Sequence, residues 1–169
     1  MMARLRRMFR HRWLDDTATR HAVPPSLVEK LAARVAESER RHTGEIRIYV
    51  EAGLPTSYLW RDATPRDRAI SMFGKLGVWD TEQNNGVLIY LLLAEHAIEI
   101  VADRGLGPHV SEAQWQQIVR RMGSAFREGR YEEGLFEAVD AVTAVLVQHF
   151  PATAGAANAN ELPDEPVLG

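Results

Sequence analysis

Residues 84–107, NNGVLIYLLLAEHAIEIVADRGLG, decide the fold. Residues 87–93 are apolar at every position, the pattern of a strand covered on both faces. A second apolar run, 97–102, follows after only Glu95-His96, so the two should pair as an antiparallel hairpin. Upstream, GEIRIYVEA (44–52) alternates Ile46, Ile48 and Val50 with Glu45, Arg47, Tyr49 and Glu51, the period of a strand with one strongly apolar face.

The segments between these strands read as helices. Ser26-Leu-Val-Glu29, Thr64-Pro-Arg-Asp67 and Ser111-Glu-Ala-Gln114 have the spacing of capping boxes, in which a hydroxyl and a carboxylate or amide satisfy unpaired backbone N–H groups. Helical repeats follow each box, through Leu27, Leu31 and Val35, through Ala69, Met72 and Phe73, and through Trp115, Val119, Met122 and Phe126. Another spans 131–150 with Leu135, Val139, Val142 and Leu146. The order helix, strand, helix, strand, strand, helix, helix predicts a three-layer α/β/α sandwich around a small mixed sheet. Its first two strands should be parallel, joined by a right-handed crossover.

The expected organisation is a basic segment 1–22, one α/β domain over 23–151, and a tail 152–169. The tail is poor in large apolar groups and is expected to be disordered. At 169 residues the chain suits one core. A net charge of −3 argues against a nucleic-acid partner. The absence of cysteine excludes disulfides, thiolate metal sites and a cysteine nucleophile. Eight uncharged apolar residues (87–94) fall far short of the ~20 a membrane-spanning helix needs, and no signal-type apolar segment follows the basic start. The expected location is therefore cytoplasmic.

Charge is uneven. Residues 1–20 carry six arginines against Asp15 and Asp16, a net +4, leaving −7 on the rest. Leu5, Met8, Phe9 and Trp13 fall at helical spacing among those arginines. Two readings stay open: a helix that lies on an anionic membrane or an acidic partner, touching it through Arg4, Arg6, Arg7, Phe9, Arg10, Arg12 and Trp13, or a helix that packs Phe9 and Trp13 on its own domain.

The strand directions bring the polar loops together. The start of strand one (Glu45), the loop 79–85 before strand two, and the end of strand three (Asp103) should lie at one edge of the sheet. Carboxylates and amide oxygens converging from separate loops suit a hard cation, Ca²⁺ or Mg²⁺. Each also has a structural reading, Asp103-Arg104-Gly105 as a turn and Asn84-Asn85-Gly86 as loop chemistry before a strand. Arg104 and His109 lie close enough in sequence to steer an anion to this corner. GLG (105–107) lacks the third glycine of a dinucleotide loop, and the six histidines form no i, i+4 pair for zinc.

GEIRIYVE, NNGVLIYLLL, IEIVADRGLG, the tryptophan of EAQW, and FREGRYEEGLFEAVDAVTAVLVQHFP together resemble the TPM domain family over 43–151. The resemblance implies an α/β/α sandwich and a divalent-cation site at Asp80, Asn84, Asn85 and Asp103. Some members of that family are acid phosphatases, and others are accessory proteins or act in membrane-protein maintenance. This chain is expected to depart from the pattern in lacking the signal peptide and membrane anchor common in many members, and its TEQNNG loop carries fewer acids. The function expected is a non-catalytic binding or accessory module, peripheral to a membrane, with a protein partner that is itself a membrane protein. The alternative is a metal-assisted phosphomonoesterase with Glu82 or His109 as base.

Overall fold

A computed structural model describes residues 2–14, 16–153 and 159–169; the side chains of residues 2–4 and 16 fall outside the description. Helices α1 (Met2–Trp13), α2 (Asp16–Ala22) and α3 (Pro25–Glu39) precede strand β1 (Ile46–Glu51). Helices α4 (Thr56–Trp60) and α5 (Pro65–Lys75) lead to β2 (Val87–Leu92) and β3 (Ala97–Ala102). Helices α6 (Glu112–Arg127) and α7 (Tyr131–His149) follow, and β4 (Val167–Leu168) closes the chain.

The sheet order is β3-β2-β1-β4. As expected, β1 and β2 are parallel, with Ile46 opposite Val87, and β2 and β3 form an antiparallel hairpin, with Val87 opposite Ala102. His96 makes the turn in a left-handed conformation, φ 49°. Strand periodicity divides the core in two. Ile46, Ile48, Val50, Val87, Ile89, Leu91, Ile98 and Ile100 face α3, α6 and α7, where Leu31, Trp115, Phe126 and Val142 are buried. Tyr49, Leu88, Tyr90, Leu92 and Val101 face the other way, onto Leu59 of α4 and Ala69 and Met72 of α5. The chain is therefore a three-layer α/β/α sandwich, and β2, apolar throughout, is buried at every position because both layers cover it.

Two expectations need correction. The capping boxes at Thr64 and Ser111 form, but α3 begins at Pro25 with Pro24 as its N-cap and no side-chain cap. The fixed φ and missing N–H of Pro25 suit a first helical position, which places Ser26 inside the helix. Residues 159–169, expected to be disordered, add a strand instead: Val167 and Leu168 pair in parallel with Tyr49 and Val50. Arg47 grips the approach by donating to the carbonyls of Pro163 and Glu165. Two apolar residues suffice because β1 offers an open edge and Arg47 replaces water on the incoming backbone.

Candidate functional site

The corner anticipated from the strand directions exists. The Val87 amide donates to the Glu45 carbonyl, the Asp103 amide to Gly86 O, and the Gly105 amide to Asn84 O. Gly86 and Gly105 make the approach: a Cβ on Gly86 would lie 2.0 Å from Val78 O, and one on Gly105 2.5 Å from Asn84 O. The side chains differ in how they are used. Asp103 is buried; its Oδ1 accepts from the Arg104 amide at 2.7 Å, and its Oδ2 is buried with no partner among the described residues. Asn84, at φ 52°, accepts on Oδ1 from Arg104 Nε and Nη2 at 3.0 and 2.9 Å. Asn85 is buried, its backbone N–H on Thr81 Oγ1 at 3.1 Å and its Nδ2 on Thr43 Oγ1 at 3.2 Å. Asp80 is exposed on the turn after α5.

Glu45 is fully buried. Its Oε2 accepts from the Leu162 amide at 3.1 Å, so the C-terminal segment covers it, and burial raises its carboxyl to about 7. Arg104 is spent on Asn84. His109 stacks on His149, 4.8 Å between ring centroids, with Phe150 edge-on at 5.7 Å. Among the described residues no group of three or more His, Cys, Asp or Glu side chains is placed to hold a metal ion. Asp103 Oδ2 has the chemistry of one ligand for a hard cation; Asn84 Oδ1 would have to leave Arg104 to be a second.

A second polar centre lies under the opposite layer. Arg68 Nε donates to Glu51 Oε2 at 3.0 Å, and the Tyr90 hydroxyl donates to the same oxygen at 2.7 Å. The Arg68 guanidinium sits 5.1 Å from the Tyr58 ring centroid. Sequence reading passed over this pair, although Tyr90 interrupting an all-apolar strand with a hydroxyl signals a buried partner.

Helix α1 is held through its polar side. Arg7 Nε donates to Glu95 Oε1 at 2.7 Å, and Arg7 also pairs with Asp62 and the Ala63 carbonyl. His11 is buried, with Nδ1 accepting from the Leu54 amide at 2.9 Å and Nε2 2.9 Å from Glu95 Oε1. A ring nitrogen that accepts leaves the other to carry the hydrogen, so Nε2–H donates. Gly53 permits this seat, since a Cβ there would lie 2.7 Å from His11 O. Met8 turns inward against the second core, whereas Leu5, Phe9 and Trp13 point out, exposed by 49, 60 and 83%. Arg6, Arg10 and Arg12 are exposed beside them, while Arg7, expected on the outer face, is an anchor of the inner one. The Arg4 side chain lies outside the described residues.

The family model for the TPM domain matches residues 18–145. The chain belongs to the TPM domain family. The match reaches back through α3 into α2, beyond the 43–151 suggested by the motifs, and stops short of the C-terminal segment. Among solved structures, the NMR structure of the BA42 protein of the psychrophilic bacterium Bizionia argentinensis is 24% identical. It matches with a TM-score of 0.74, covering 87% of this chain and 95% of that one. The solution structure of the N-terminal domain of a P. gingivalis protein is also 24% identical, with a TM-score of 0.60, covering 76% of this chain and 81% of that one. These likenesses concern the fold. No curated protein matches.

Proposed function

We propose that this TPM-domain chain is a non-catalytic binding module that lies on an anionic membrane face through α1 and serves a membrane-protein partner there. The observation that carries the reading is the orientation of α1. A helix packed on its own domain buries its apolar stripe and solvates its charges; α1 turns half-buried Arg7 and buried His11 inward and presents Leu5, Phe9 and Trp13, at i, i+4 and i+8, to the outside. Arginines beside such a stripe match the polar face of an interfacial helix, in which cations meet lipid phosphates while the rings enter the acyl boundary. No helix among the described residues is long and apolar enough to cross a membrane, so the attachment proposed is peripheral.

Co-sedimentation with phosphatidylserine-containing vesicles tests the reading. Each arginine near such a surface contributes about 1 kcal/mol. Replacing Arg6, Arg10 and Arg12 by Gln together is expected to weaken binding about a hundredfold, and added salt should release the wild type. Pelleting that ignores both the substitutions and salt would contradict it.

Asp103 favours a second reading, a divalent-cation site at the loop corner, because a buried carboxylate oxygen with no partner is a ligand in waiting. Ca²⁺ or Mg²⁺ at a hundred times Kd should stabilise the chelator-treated chain by roughly 2.7 kcal/mol. The accompanying rise in Tm should vanish in Asp103→Asn; an unchanged Tm in the wild type would make Asp103 a turn residue only.

A further inference from the structure

Between α1 and α4 lies a half-open slot of about 300 Å³. Leu5, Met8 and Phe9 wall one side, and Leu54, Pro55 and Leu59 the other. Leu54 and Leu59 are buried and form its floor, whereas Leu5 and Phe9 belong also to the exposed stripe, so the slot opens on the face α1 turns outward. Its volume is at the lower end of the ~300–1,000 Å³ of small-molecule pockets.

The polar groups at the slot are few and mostly committed. Both ring nitrogens of His11 are engaged, one by the Leu54 amide and the other by Glu95. That leaves the exposed guanidinium of Arg12 as the cation of the lining, next to an apolar floor. An occupant must therefore carry one narrow apolar body and one anionic end, the reverse of this lining. We propose that the slot takes the acyl chain of an anionic lipid from the membrane surface, with the headgroup against Arg12. This rests on the membrane-peripheral reading and adds to it: α1 would hold an individual lipid as well as lie on the bilayer. The chain passes between Leu5 and Phe9 onto Leu54 and Leu59, and the headgroup stays in water beside Arg12, a residue of the lining whose exposed charge reaches solvent.

The probe is laurate, kept below the concentration at which it forms micelles and titrated calorimetrically into the full chain. Saturable binding near one per chain is expected. Thr56→Trp, which fills the mouth from the exposed first residue of α4, should weaken it at least tenfold, and Arg12→Gln should weaken it independently. Thermal melts establish that each variant is folded. Laurate binding indifferent to both substitutions would overturn the assignment, because the ligand would be seated elsewhere. A wild type that binds no laurate yet pellets with phosphatidylserine vesicles would overturn the slot and leave the peripheral reading standing. A wild type that does neither would end both.

Discussion

Arg68 and Glu51 show what a single buried charge asks of its surroundings. Both side chains are more than nine-tenths buried, and the carboxylate accepts from Arg68 and Tyr90 at once. Burial, reinforced by the charge of Glu51, pushes the Tyr90 phenol well above its ordinary range, so the hydroxyl keeps its hydrogen and donates. Removing one partner of such a pair strands the other. Arg68→Met is therefore expected to cost about 3–5 kcal/mol, whereas Tyr90→Phe removes one hydrogen bond to a charge and should cost about 1.5–3 kcal/mol. Chemical denaturation of the two variants checks the ranking; equal losses would mean that the ion pair is not desolvated as described. The pair escaped the sequence reading because Glu51 falls on the polar phase of an alternating strand, where a solvated carboxylate is the ordinary expectation. Burial there comes from α5, an element 14 residues further on that periodicity in β1 does not report.

At the scale of elements, the strands and the longer helices were legible because their periods are set by the same burial that the structure shows. Ile46, Ile48 and Val50 face one layer, and β2 is covered on both sides. The corner formed by Glu45, Asn84, Asn85 and Asp103 was legible too, since strand directions alone place those ends together. What each side chain does there was not legible. Arg104 capturing Asn84 and Leu162 covering Glu45 depend on loop geometry and on a segment whose composition gave no sign of packing. Helix α4 was missed because five residues, TSYLW, are too few to display a helical period.

The C-terminal segment leaves a titratable mark. Its residues 161–165 lie over Glu39 and Glu45, whose carboxyls are raised to about 8 and about 7, burial first; the charges of Glu45 and Asp164 add to Glu39, and at Glu45 the bonds from the Glu161 and Leu162 amides oppose the rise while the charges of Glu161 and Asp164 add to it. A carboxyl raised on folding means that the native state holds more protons than the unfolded chain between about pH 4.5 and pH 7–8, so these groups favour folding in acid and lose that contribution as pH rises through the window. Buried His42, lowered to about 4 by desolvation, acts oppositely, losing stability as pH falls from about 6.5. The two windows overlap, so the Tm difference between wild type and Glu45→Gln isolates the carboxyl. That difference should move against the wild type between about pH 4.5 and pH 7, the range set by the Glu45 value; a difference flat with pH would contradict the burial of Glu45 beneath the segment.

For the whole molecule, the fold separates two surfaces. The loop corner lies at the edge where β1 and β2 begin, and α1 lies over the layer of α4 and α5, pinned by Glu95 in the turn at the other end of β2. A domain attached to a bilayer through α1 would therefore hold its loop corner away from the lipid, free for a partner or a cation. The sequence located α1's apolar residues and its arginines but left open which side faces the domain, because a helix with both scattered around it fits either way. Arg7 and His11 settle the orientation by finding Glu95, a contact 84 residues or more along the chain.

The most direct test of the account is the depth of Trp13. Phosphatidylserine vesicles with brominated acyl chains quench tryptophans that enter the hydrocarbon boundary, and Trp13 is the indole on the proposed contact stripe. Strong quenching of the wild type is expected, most of which disappears in Trp13→Phe while vesicle binding through the arginines persists. Quenching that is absent from vesicle-bound protein, or that survives Trp13→Phe undiminished, would contradict it.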